Sequence, residues 1–97
     1  MEITVSDLKK IVESIFALFD ECGVEIISIE NDYYWHIPKE EIYDPYHTPT
    51  NLNLGQLSDD WQDLHRVLAK ENEPILTDFI DLASIFRAIG EITLSKL

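Results

Sequence analysis

The chain has 97 residues and a mass of 11.3 kDa, enough for one domain spanning 1–97 and too little for two independent cores. It carries 19 acidic and 7 basic residues, a net charge of −12. That balance argues against nucleic-acid binding, which needs Lys and Arg on phosphate, and against adhesion to anionic membranes. With 45% hydrophobic residues, 3 Gly and 4 Pro it is not a disordered or low-complexity segment. One Cys forbids an intrachain disulfide, and neither a secretory core nor a bilayer-spanning apolar run is visible. A cytoplasmic, folded domain is the expectation.

The first element is a helix over about 5–22. Leu8, Ile11, Val12, Ile15, Phe16 and Phe19 recur at helical spacing, with Lys9, Lys10, Glu13 and Asp20 off the stripe. Thr4 and Asp7 read as a capping-box variant, and Gly23 supplies a left-handed stop. Residues 24–37 then change character. VEIISI and YYWHI are rich in β-branched and aromatic residues, and Glu30-Asn31-Asp32 between them has turn chemistry, so a β-hairpin is expected. Tyr33, Trp35 and Ile37 share one face of its second strand, Tyr34 and His36 the other.

Residues 38–57 contain Pro38, Pro45 and Pro49 and read as a long loop. Pro38 is suited to begin a short helical turn, and Asn51 to Leu54 to form a brief third strand. Ser58 is an N-cap residue with Asp59 and Asp60 in the first turn, predicting a second helix over 59–70 along Leu57, Trp61, Leu64 and Leu68. Asn72 ends it. After Pro74 a third helix is expected over about 75–94, with a broad apolar set and Gly90 near its end. The order α-β-β-α-α gives an α+β domain: an N-terminal helix, a β-hairpin, a long loop, then a C-terminal αα-hairpin.

The charge is uneven. Between 20 and 60 there are ten acids and one base, Lys39, which is −9 of the net −12. Packing does not require this and self-repulsion opposes it. A solvated surface explains it blandly; a surface for a basic partner explains it functionally. Tyr33, Tyr34, Trp35, Tyr43 and Tyr46 lie in the same stretch, and so small a core cannot take all five. Aromatics beside carboxylates are the composition of interface anchors with a charged rim. Trp35 is assigned to the core, Tyr34 and Tyr46 to the surface, with Tyr43 open between them. The partner-binding set is Tyr34, Glu40, Glu41, Tyr43, Asp44 and Tyr46.

Catalytic signatures are missing: no nucleophile elbow, phosphate-binding Gly loop, dinucleotide fingerprint or H-E-x-x-H. His36, His47 and His65 lack the spacing of a helical zinc site, and Asp59, Asp60 and Asp63 are explained by their place on a helix. Cys22, at a helix C-terminal end, is poorly placed for a thiolate. No enzyme, cofactor or metal is therefore expected. Two alternatives stand beside the binding reading. One is self-association through the third helix, with Ile75, Leu82, Ile85 and Ile89 as a homodimer seam. The other is a small metal-dependent hydrolase using His36, His47 and Asp44.

The segments I-P-K-E-E-I-Y-D-P-Y (37–46), G-Q-L-S-D-D-W (55–61) and F-I-D-L-A-S-I-F-R-A-I-G-E (79–91) resemble a family of small, acidic bacterial proteins with no assigned activity. The resemblance covers residues 24 to 91 and transfers no functional residue. In size and acidity the chain is also similar to immunity proteins that neutralise bacterial nuclease toxins, a likeness of composition rather than of motif.

Overall fold

The computed structural model describes residues 1–70 and 73–93. Its first helix, α1 (Val5–Cys22), has the boundaries the apolar period predicts. Gly23 at φ 68° ends it: its N–H donates to the Asp20 carbonyl, and that of Val24 to the Phe19 carbonyl at 2.8 Å. This paired arrangement satisfies the last turn. The expected capping box does not form, since Thr4 makes no side-chain cap bond; its carbonyl accepts the Leu8 N–H.

The chain is α+β, with one two-stranded antiparallel sheet. Its pairing differs from the expected 24–37 hairpin. Residues 24–29 run without a ladder, and β1 (Tyr33–His36) pairs instead with β2 (Asn53–Gln56). The strand expected near 51–54 is thus the true partner, shifted two residues on. Asp32 decides this. Rather than closing a turn, its carbonyl accepts the Leu57 N–H at 2.7 Å, and its carboxylate accepts from the Ser58 N–H and hydroxyl and from the Gln56 amide. The residue before β1 is thereby tied to the residues that follow β2.

Between the strands lies α2 (Lys39–Ile42), a single turn begun by Pro38, and then an irregular loop. Directly after β2 comes α3 (Leu57–Ala69), two residues earlier than Ser58 suggests, because Asp32 and not Ser58 caps it. It ends on Lys70, held in the left-handed region at φ 56°. The expected stop at Asn72 lies outside the described residues. At Lys70 a side chain with a Cβ is strained where glycine is not. Lys70→Gly is therefore expected to raise stability by about 1 kcal/mol, read as a higher denaturant midpoint.

α4 (Asp78–Ala88) starts three residues later than expected, because residues 75–80 first form a tight turn of i to i+3 bonds. Its regular part ends at Ala88, and a π-helical turn (Ile89–Thr93) carries Gly90. Packed as a pair, α3 and α4 bury Leu57, Leu64, Ile85 and Ala88, with Ile29, Tyr34, Leu82 and Ile89 against them. The homodimer seam expected on the third helix is mostly consumed here. Ile85 is buried and Leu82 and Ile89 are half-buried, which leaves Ile75 as the exposed member. Among the described residues, no helix is long and apolar enough to cross a membrane.

Candidate protein interface

The sheet has an inner and an outer side, and glycine chooses between them. Tyr34 stands opposite Gly55 in the ladder, and its ring lies directly over the glycine, in the space any Cβ would occupy. The ring packs on the α3–α4 core, and its hydroxyl donates to Asp60 Oδ2 at 2.7 Å. The Ser84 hydroxyl donates to the same oxygen at 2.6 Å. Burial first, and then the Asp60 carboxylate, push the Tyr34 hydroxyl up to about 12. Tyr34, expected at the surface as a partner contact, is instead a packed side chain joining sheet, α3 and α4.

Strand alternation then sends Tyr33 and Trp35 outward. Trp35, assigned to the core, is 69% exposed, and its cross-strand neighbour Leu54 is exposed beside it. The reason is parity: with Tyr34 seated on Gly55, its neighbours face the other way. Sequence reading missed Trp35, Tyr33 and Leu54 as surface residues. The signal was there in Gly55, a strand glycine that marks close approach of another group, but it could be used only once the register was known.

The loop after β1 adds a second set of aromatics. Glu41 on α2 reaches across it, accepting from the Thr50 N–H (3.0 Å) and hydroxyl (2.7 Å) and the Asn51 N–H (3.0 Å). These bonds, Thr50 first, hold the Glu41 carboxyl below its ordinary range. The staple closes the loop so that Tyr43 (81% exposed) and Tyr46 (90%) project from it. Asp44 shapes the tip, accepting the Tyr46 N–H at 3.2 Å and meeting His47 Nδ1 at 2.7 Å. Ile37, Ile42, Pro45 and Pro49 line an open depression of about 390 Å³ under this arch. Glu40 is exposed on α2.

Of the six expected contact residues, then, Tyr43, Tyr46 and Glu40 are exposed and Asp44 is half-buried at the loop tip. Glu41 and Tyr34 do structural work. The acidic stretch is likewise divided: Asp32, Glu41, Asp44 and Asp60 each have an internal partner. Asp32 has its carboxyl lowered by Gln56 and Ser58. A depressed carboxylate stabilises the fold above its unfolded pKa and ceases to as pH falls through the folded value. Unfolding midpoints are therefore expected to hold from neutrality to about pH 5 and drop below it, with Asp32→Asn flattening that acid-side drop.

A further acidic group lies between α3 and α4. Burial, then the charges of Asp60, Asp63 and Asp78, raise the Asp81 carboxyl. Among the described residues, no three His, Cys, Asp or Glu side chains converge on a point that could hold a metal ion. His47 meets Asp44 at the exposed loop tip, where the pair is open to solvent. No family model, curated protein or solved structure matches this chain.

Proposed function

We propose that this chain is a non-catalytic protein-binding domain whose outer sheet face and Tyr43–Tyr46 loop receive a basic protein. The observation that carries this reading is the exposure of Trp35, with Tyr33 and Leu54 beside it, followed in the chain by a loop that presents two further tyrosines. Large rings held out by a closed staple and a fixed register are ordered before any partner arrives. Such anchors lose little entropy on binding and fill pockets, which is how a few residues come to dominate an interface. Glu40 and Asp44 provide the negative rim, and the net charge of −12 would speed encounter with a cationic surface.

A nuclease fits that partner chemistry, because its own groove must be cationic to hold phosphate. An immunity protein that masks such a toxin is the specific role we favour within this reading. The test is affinity capture from the native host with the wild-type chain and with Trp35→Ala/Tyr43→Ala, at low and high salt. The reading expects a basic protein held by the wild type, released by salt and lost with the double variant. Equal capture by both chains, or partners that are not basic, would overturn it.

A further inference from the structure

Helix α1 carries two apolar sets, and the chain uses only one. Val12 and Phe19 are half-buried, and Phe16 meets Phe86 of α4 edge-on at 6.0 Å between ring centroids. The other set is Leu8, Ile11, Ile15, Leu18 and Cys22, with spacings of three, four, three and four. All five are exposed, the four aliphatic ones between 43% and 55%. A 3–4 repeat over the full length of a helix is the seam of a coiled coil, and a single helix has no use for it.

The area points the same way. The chain exposes 8468 Å², whereas a folded monomer of this mass exposes about 5,700 Å². Its radius of gyration is 15.4 Å, against about 12.5 Å for a compact chain of this length. Part of that excess lies on α1, at Leu8, Ile11, Ile15 and Leu18, and the whole leaves room for the roughly 800 Å² per partner that a stable interface buries.

We infer that α1 pairs with α1 of a second copy, antiparallel, through this seam. The helix dipoles select the direction: antiparallel pairing opposes them, whereas parallel pairing aligns them. The 1–19 segment, with two bases against three acids, is also far nearer neutral than 20–60, so two copies meet there with least repulsion. With the helices centred on each other, Leu8 packs against Leu18 and Ile11 against Ile15 across the pair, giving four matched layers. This pairing does not depend on the basic-partner reading.

The lone Cys22 reports the direction. In the antiparallel pair the two Cys22 residues lie about 27 Å apart along the axis, while in a parallel pair they lie side by side. The full chain is examined by sedimentation equilibrium at micromolar concentration and then by mild thiol oxidation. The inference expects a dimer mass, no Cys22–Cys22 cross-link within the dimer, and dissociation to monomers by Ile15→Asp with helical circular dichroism retained. Should that variant unfold, Ile15→Ala is expected to weaken the dimer at least about tenfold. A wild-type monomer, a dimer indifferent to both substitutions, or rapid Cys22 cross-linking would each overturn it.

Discussion

Asp78→Ala is expected to lower folding stability by about 2 kcal/mol. Asp78 is buried at the start of α4 and accepts from both sides: the Arg66 guanidinium at 3.1 Å from α3, and the Ile75 N–H at 2.9 Å from the turn between the helices. The same carboxylate thus ties the two halves of the αα-hairpin together. Alanine would orphan the Ile75 N–H and remove the only ion pair between α3 and α4 among the described residues. The cost stays below that of a fully buried broken pair, because the Arg66 side chain keeps 31% of its surface in water and can rehydrate. Asp78→Asn retains an acceptor for Ile75 and loses the charge, so it should cost roughly half as much. Urea unfolding checks both: the midpoint falls, more for Ala than for Asn, and the slope is unchanged.

Gly55→Ala is expected to destabilise by about 1–3 kcal/mol, although alanine is ordinarily better than glycine in a strand. The backbone there is not left-handed, so the loss comes from the space alone. The new methyl would occupy the position of the Tyr34 ring, which cannot shift without leaving both the core and Asp60. The coupling is testable by a double-mutant cycle. In a Tyr34→Ala background the ring is gone, and Gly55→Ala should become neutral or favourable. Additive losses in the cycle would show that the glycine serves some other purpose.

These two residues also mark where sequence reading succeeds and where it stops. Helix α1 is legible because its signals are local: a 3.6-residue apolar period, then a glycine where the chain needs positive φ. The long loop and the short turn after Pro38 follow from proline in the same way. The strand pairing is different in kind. VEIISI has better β-propensity than NLGQ, yet NLGQ is the partner of β1, because a ladder is decided by what holds two segments together. Here that is Asp32 reaching 26 residues forward to Ser58, and propensity contains no term for it. The site fails and succeeds along the same line. Tyr46 was assigned to the surface and stands there, and Tyr43, left open, joins it. Trp35 was assigned inward, and the face it occupies depends on a glycine twenty residues away. A carboxylate's identity likewise says nothing of its employment: Glu41 and Asp60 serve the fold, while Glu40 next to Glu41 is exposed.

The account turns on Trp35 standing outward on a strongly acidic protein, and its fluorescence tests this with no partner present. Trp61→Phe leaves Trp35 as the sole indole. It is expected to emit at the wavelength of a water-exposed tryptophan and, with each ion referred to its effect on free indole, to be quenched more efficiently by caesium than by iodide, since the net charge of −12 attracts the cation and repels the anion. A blue-shifted emission that both ions leave unquenched would place Trp35 inside the molecule and contradict the proposed binding surface.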